Sequence, residues 1–326
     1  MSKKRVYVTR RIPQVGLDML QPHCELTVWD GDLPPGREIM LEEVQKADGL
    51  LCLLTEPVDS ELMDAGRDLV VISQMAVGVD NIDLAAATAR DLPVGHTPGV
   101  LTEATADMAF TLLMAAARRI PEGIDKVRNG DWLTWEPLGL LGADIWGATL
   151  GIVGLGRIGE AVARRARGFA MRILYHDALR RPELEAELGV LPVTMDELLS
   201  TSDFVSLHCP LLPETTHLIG AAALQAMKPT AILINTSRGP VVDPDALVEG
   251  LRRGWILRAA LDVTDPEPIP ADHPLVKLSS CIVVPHIASA TVTSRDKMAT
   301  MAAENLLAGL QGRQLPYCAN PAVYGN

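Results

Sequence analysis

The sequence predicts an α/β protein of two doubly wound domains, each on its own parallel sheet. Three observations carry this. Short apolar runs alternate with helix-compatible stretches through the first third of the chain, and the alternation starts afresh near Trp146 and continues to Val284. The second series opens on a strand running straight into a glycine-punctuated turn, Gly154-Leu155-Gly156-Arg157-Ile158-Gly159. Its 326 residues suffice for two cores of ordinary size.

Taken in order, Val6-Tyr7-Val8-Thr9 reads as a strand, Val15 to Leu20 as an amphipathic helix, and Leu26-Thr27-Val28-Trp29 as a second strand. A helix-like stretch from Arg37 to Lys46 leads to strands at Gly49 to Leu54 and Leu69 to Ser73. After His96-Thr97-Pro98-Gly99, residues from Leu101 to about Arg119 lack proline and glycine and are apolar on most faces, which predicts a long helix buried between domains. Further strands are expected at Ile152-Val153, Ile173 to Tyr175, Phe204 to Leu207, Ile232 to Ile234, Ala259 to Leu261 and Ile282 to Val284, the number that a dinucleotide domain needs. A last helix, Ser294 to Leu310, is expected to return to the first domain. The second domain is then an insertion: residues 100–287, a Rossmann domain, within a flavodoxin-like substrate domain of residues 1–99 and 288–326. Hinges are expected near Gly99 and near Ala288 to Thr291.

In the glycine turn, Gly154 permits the tight passage from strand to helix, Gly156 lets the backbone approach a pyrophosphate, and Gly159 lets the helix lie close on the strand. Phosphates then meet the unpaired N–H groups and positive dipole end of a helix N-terminus. Asp177, at the end of the next strand, stands where an acid accepts hydrogen bonds from the adenosine ribose. Its charge repels a 2′-phosphate, which favours NAD(H) over NADP(H). Arg180 and Arg181 follow closely and are able to bind that phosphate. The plainer reading of the pair is a solvated loop ahead of Pro182.

Composition excludes other classes. The net charge is −12 and the arginines are scattered, so no nucleic-acid groove is expected. Cys24, Cys52, Cys209, Cys281 and Cys318 are odd in number and mostly set in apolar segments, which suits reduced thiols and a cytoplasmic location. Val6-Tyr7-Val8 behind the basic N-terminus is too short for a signal core, and no run approaches the ~20 apolar residues of a membrane span. No metal site is expected.

Three expected strand ends carry polar residues in apolar surroundings: Asn235-Thr236-Ser237-Arg238-Gly239, Asp262-Val263-Thr264-Asp265-Pro266-Glu267-Pro268, and Pro285-His286-Ile287-Ala288-Ser289-Ala290-Thr291. Ligands of open α/β sheets bind at such ends. There a guanidinium can grip a carboxylate and an imidazole can move a proton. Alone, each is an ordinary surface arginine or a locally satisfied histidine; beside a dinucleotide turn they make one site.

These segments, GLGRIG, NTSRG, LDVTDPEP and PHIASAT in this order, resemble the D-isomer-specific 2-hydroxyacid dehydrogenase family nearly end to end. Through VTRRIP, MAVGVDNID, WLTWEPL and AAENLLAGL the chain looks most like the glyoxylate reductase/hydroxypyruvate reductase branch. The resemblance implies NAD(P)H-dependent reduction of small 2-oxo acids, with a catalytic Arg238, Glu267 and His286. It implies that Arg238 binds the substrate carboxylate and polarises the keto oxygen, His286 protonates that oxygen, and Glu267 orients His286 and keeps it protonated. The backbone amides of Val77 and Gly78 match the family's substrate-carboxylate loop, and Ser289 adds a weaker substrate contact. Asp262 matches a position meeting the nicotinamide carboxamide, Thr105 one near the cofactor phosphates, and Arg157, Ile158, Pro210 and Thr236 complete the expected cofactor contacts. Trp135 matches a tryptophan that reaches into a partner's active site, which implies a homodimer; the alternative is that Trp132 and Trp135 simply pack on a long arm. Two other readings stay open: another specificity within the family, phosphoglycerate or D-lactate, and a nucleotide-sensing binding protein like the family's corepressors. Pocket shape near Leu53, Leu54, Met75 and Ala76 is expected to select the substrate.

Overall fold

The computed structural model describes residues 3–325. It divides into two compact units: the chain leaves the first after Leu101, enters the second at Thr102 and returns at Ala290. In the first unit β1 (Lys4–Val8), α1 (Gln14–Leu20), β2 (Cys24–Val28), α2 (Arg37–Val44), β3 (Gly49–Cys52), α3 (Ser60–Ala65), β4 (Val71–Gln74), α4 (Leu84–Thr88) and β5 (Val94–Gly95) follow one another. The five strands form an all-parallel sheet in the order β2-β1-β3-β4-β5. This is the strand order of a flavodoxin-like domain, the class expected for this part of the chain. Asp59 and Asp83 start α3 and α4 by accepting the N–H groups of Leu62 and Ala86, which satisfies donors that a helix start otherwise leaves unpaired.

The second unit contains α5 (Thr102–Ala117), α6 (Ile120–Arg128), β6 (Thr149–Val153), α7 (Arg157–Arg167), β7 (Arg172–His176), α8 (Pro182–Leu188), β8 (Leu191–Pro192), α9 (Met195–Thr201), β9 (Phe204–Leu207), α10 (Ala221–Ala226), β10 (Ile232–Asn235), α11 (Pro244–Arg253), β11 (Arg258–Leu261), α12 (Pro274–Lys277) and β12 (Cys281–Val283). The long helix expected to Arg119 ends at Ala117. Arg119 turns into the left-handed region, φ 53°, and a new helix begins with Pro121 in its first turn. Proline fits there because its missing N–H is not needed in a first turn, whereas inside a continuous helix it removes a hydrogen bond.

All seven strands are parallel, in the order β12-β11-β10-β9-β6-β7-β8. Both faces are covered, so strand residues alternate between two apolar layers. Ile152, Ile232 and Ile234 join Leu113, Ala163 and Leu184 of α5, α7 and α8 on one side. Val153, Leu233 and Leu261 join Leu198, Leu224 and Leu247 of α9, α10 and α11 on the other. The chain then returns with α13 (Val292–Leu310), which packs in the first unit against α1, β3 and β4. Ser73 donates to the Ala302 carbonyl of α13 at 2.8 Å, and Asn305 of α13 donates to the His96 carbonyl at 3.0 Å.

Candidate active site

One register line crosses the larger sheet. His176 is paired with Val153, Val153 with Leu207, Leu207 with Asn235, Asn235 with Leu261, and Leu261 with Val283. The next residue along each strand direction is Asp177, Gly154, His208, Thr236, Asp262 and Val284. Six loops therefore emerge side by side at the carboxyl end of the sheet, the end at which open α/β sheets bind ligands.

Gly154 lies at φ 90°, and a Cβ there would come within 2.7 Å of the Cys209 nitrogen, so both conformation and space demand glycine. A Cβ on Gly156 would meet nothing within 4 Å. The turn thus leaves room beside the first turn of α7. Asp177 Oδ2 accepts the Leu155 N–H at 2.6 Å and Oδ1 the Leu179 N–H at 3.0 Å, which ties the acid to the glycine turn. Arg180 forks onto Glu185 with two 2.9 Å bonds, and Arg181 pairs with Glu183 and donates to the Leu155 carbonyl. The two arginines are thus occupied by local acids and backbone. Arg157 is exposed and Ile158 half-buried in the first turn of α7, Pro210 is exposed, and Thr105 is buried at the start of α5. Thr236 is also buried, and its Oγ1 has no hydrogen-bond partner among the described residues. An orphaned hydroxyl, an open glycine edge and an acid on the neighbouring strand fit a dinucleotide.

At the other end of the row, Asn235 shapes the loop that carries Arg238. Its Oδ1 accepts the N–H and Oγ of Ser237, and its Nδ2 donates to the Arg238 carbonyl at 2.8 Å. Gly239 lies so close to the Thr264 carbonyl that a Cβ would approach it to 1.9 Å, which brings the arginine loop against the loop carrying Glu267. Asp262 is buried; its two oxygens accept the N–H groups of Ile287 and Ala288 at 2.7 and 2.9 Å. Its backbone carbonyl accepts the His286 N–H at 2.9 Å. Burial raises the Asp262 pKa even though the two amides and the nearby His286 lower it. This anchors His286 in a left-handed backbone, φ 52°, a conformation that a histidine adopts only when its surroundings enforce it.

From that position His286 Nδ1 meets Glu267 Oε1 at 2.6 Å. Glu267 Oε2 accepts the Thr264 N–H at 3.2 Å. Burial pushes the Glu267 pKa up, but the His286 hydrogen bond and charge, the Thr264 amide and the nearby Arg238 outweigh it, and the carboxyl lies below its ordinary range. Among the described residues no group takes the His286 Nε2, which stays available to another molecule. Ser289 follows, half-buried, at the end of this unit. Val77 and Gly78 belong to the other unit, just beyond β4. Trp135 lies on the irregular segment between α6 and β6 and is 79% exposed.

The sequence reading does not single out His208 or a shaping role for Asn235, although each follows an apolar run as the chosen residues do. What marks them is lateral: His208 abuts the glycine turn only because β9 lies next to β6. Its Nε2 pairs with Ser206 Oγ at 2.8 Å, its Nδ1 is buried without a partner, and burial lowers its pKa to about 4.

The chain resembles known proteins along its length. Residues 110–288 match the model of the D-isomer specific 2-hydroxyacid dehydrogenase NAD-binding domain. A glyoxylate reductase of Korarchaeum cryptofilum is 53% identical over 322 residues, 98% of this chain and 97% of that one. Among solved structures, a Thermus thermophilus protein superposes with a TM-score of 0.92 at 48% identity, covering 97% of this chain and 99% of that one. An NADPH-dependent glyoxylate/hydroxypyruvate reductase of Sinorhizobium meliloti, solved with NADP and malonate, gives 0.85 at 30% identity over 98% and 97%. This protein belongs to the D-isomer-specific 2-hydroxyacid dehydrogenase family, and its larger unit is a Rossmann NAD-binding domain.

The low pKa of His208 has a consequence for stability. Between about pH 6.5 and 4 the unfolded chain binds a proton at this residue that the folded chain resists, so stability falls as pH falls. Urea unfolding at pH 7 and 4.5 should show the wild type losing about 2 kcal/mol more than His208→Gln. Equal losses would refute a neutral folded-state His208.

Proposed function

We propose that this protein reduces small 2-oxo acids, glyoxylate and hydroxypyruvate foremost, with a nicotinamide dinucleotide as reductant, and that Arg238, Glu267 and His286 carry the chemistry. The observation behind this is the 2.6 Å contact between Glu267 and His286 Nδ1, with Nε2 left available and Arg238 on the neighbouring strand end. The guanidinium of Arg238 binds the substrate carboxylate as a fork and draws electron density from the keto oxygen. The His286 Nε2–H donates its proton to that oxygen. Glu267 holds the ring at Nδ1 and stabilises its positive charge before the transfer. The reduced nicotinamide supplies the hydride when bound. For the cofactor the residues in question are the glycine turn with Arg157 and Ile158, Asp177, Thr105, Pro210, Thr236 and Asp262. Val77 and Gly78 amides serve as carboxylate donors, and Ser289 adds a substrate contact. The glyoxylate reductase identity of the relatives, at about half the residues, supports this substrate class.

NADH is the preferred form in this reading. The Asp177 carboxylate lies against the glycine turn, and Arg180 is neutralised by Glu185 in place of facing a phosphate. The cytoplasm is the proposed compartment, which suits five free cysteines. Among the described residues no helix is long and apolar enough to cross a membrane. The protein works as a homodimer whose second copy covers α6 and the segment after it. Ile120, Ile124 and Val127 share one helix face, and Trp132, Leu133 and Trp135 follow in the segment after it, all exposed.

Initial rates with glyoxylate, hydroxypyruvate, pyruvate and phosphohydroxypyruvate, each with NADH and NADPH, test the activity and the Asp177 argument together. Turnover of the first two with NADH is expected; a preference for NADPH would overturn the cofactor reading alone. His286→Ala should lower kcat by about 10²–10⁴-fold with little change in NADH affinity, and Arg238→Ala should raise KM for the acid. Normal turnover by the histidine variant would end the proton-donor role. Sedimentation should give twice the 35.1 kDa chain mass; Ile124→Asp with Val127→Asp should give monomer, and a monomeric wild type would remove the dimer.

A further inference from the structure

The smaller sheet also ends on a line. Cys52 is paired with Gln74, and Ser73 with Gly95, so Gln74 and His96 lie side by side on neighbouring strands. Both reach the loop that follows β4. The His96 Nδ1 lies 2.9 Å from the Val77 carbonyl, and because a carbonyl only accepts, the nitrogen carries the proton. Gln74 Nε2 donates to the Gly78 carbonyl at 2.5 Å. Gln74 is fixed in turn by Asn81, with reciprocal amide bonds of 2.9 and 3.0 Å. Asn81 Nδ2 also reaches the carbonyls of Leu53 at 3.0 Å and Glu56 at 2.7 Å, so the loop after β3 and the loop after β4 share one amide hub.

A trans peptide directs the C=O of one residue and the N–H of the next to opposite sides. With the Val77 carbonyl held by His96, the Gly78 N–H turns away from that imidazole. With the Gly78 carbonyl held by Gln74, the Val79 N–H turns away from that amide. Among the described residues nothing accepts a hydrogen bond from the N–H groups of Val77, Gly78 or Val79. The Gly78 and Val79 donors are therefore set by the two carbonyl clamps, and the Val77 donor by the Ala76 carbonyl, which accepts the Thr97 N–H at 2.9 Å, while their own protons stay uncommitted. Such a run of amides is an anion-binding concavity only as long as its peptide planes keep their orientation.

We propose that His96, Gln74 and Asn81 are positioning residues for substrate, holding the Val77–Gly78 and Gly78–Val79 peptide planes so that the Gly78 N–H, beside that of Val77, is aimed at the substrate carboxylate. This rests on the reading of Val77 and Gly78 as the carboxylate loop and goes beyond it by assigning three side chains that do not touch substrate. A buried amide pair that merely satisfies itself would serve stability alone. These side chains instead spend donors on the carbonyls of that loop, which predicts an effect on acid binding separable from folding.

The test uses the full-length protein with NADH, and oxamate as a non-reducible carboxylate. His96→Leu removes the imidazole donor and His96→Asn retains an N–H; Gln74→Glu keeps the shape and cannot donate to Gly78. His96→Leu and Gln74→Glu should each raise KM for glyoxylate and the oxamate inhibition constant at least tenfold. kcat and NADH affinity should stay within about threefold, the pattern of lost uniform binding. His96→Asn should recover most of the loss. Should Gln74→Glu fail to fold, the two His96 variants decide. Folded His96→Leu with wild-type KM and oxamate inhibition would overturn the proposal. The loop reading is checked separately in the wild type, where the Val77 and Gly78 amide resonances should shift on adding oxamate to the NADH complex. If they do not move, the carboxylate loop itself is refuted and the proposal falls with it. If they move while the His96 variants bind normally, the loop stands and only the positioning role falls.

Discussion

Strand register is the constraint on which the rest of this structure depends. Parallel strands covered on both faces cannot slip by one residue without exchanging the two apolar layers, because Ile152 and Val153, or Ile232 and Leu233, belong to opposite layers. The hydrophobic layers therefore set where each strand stops. In the larger unit they stop on one line, and Asp177, Gly154, His208, Thr236 and Asp262 are delivered together at its edge. The chemistry is a by-product of packing carried to its last residue.

On that edge, carboxylates of similar chemistry are used differently. Asp262 is buried and spends both oxygens on two backbone amides, so it holds the His286 segment in place. Burial raises its pKa, which makes it a costly anchor, and hydrogen bonds to its charged form offset part of that cost. Glu267 is only partly covered and faces a base and a guanidinium, so its proton is held less tightly. One acid holds the backbone of the histidine loop and the other holds the ring at Nδ1. The left-handed backbone at His286 is tolerated because Asp262 bonds on either side of the residue over-determine it.

The two units apply the same device to different groups. In the larger one, Asn235 closes a loop on the carbonyl of Arg238 and so aims a side chain. In the smaller one, Gln74 and His96 clamp carbonyls and so aim backbone N–H groups. In both, a side chain at a strand end ties down main chain beyond it.

Much was legible in the residues alone, and for local reasons. The period of apolar residues defined the strands apart from the two-residue β5 and β8, and the helices α1, α2, α5 and α13, because burial on one face or two is written into neighbouring positions. The shorter helices α3, α4, α6 and α8 to α12 were not singled out. Gly154 and Gly159 declared the turn because a positive φ at the first and close backbone approach at both exclude other residues, and Gly156 between them leaves open space. Arg238, Glu267 and His286 stood out as polar residues after apolar runs, and the family resemblance followed from the same segments. Tertiary structure decided what depends on lateral neighbours. That Asp262 braces the histidine loop, that His208 is kept neutral beside the glycine turn, and that Glu185 and Glu183 occupy Arg180 and Arg181 are facts of pairing between distant segments or of side-chain direction. So is the conjunction of Gln74, Asn81 and His96, since it requires β4 to lie between β3 and β5. Sequence determines which residues must be buried and which turns need glycine; only the folded sheet determines which strand ends become neighbours.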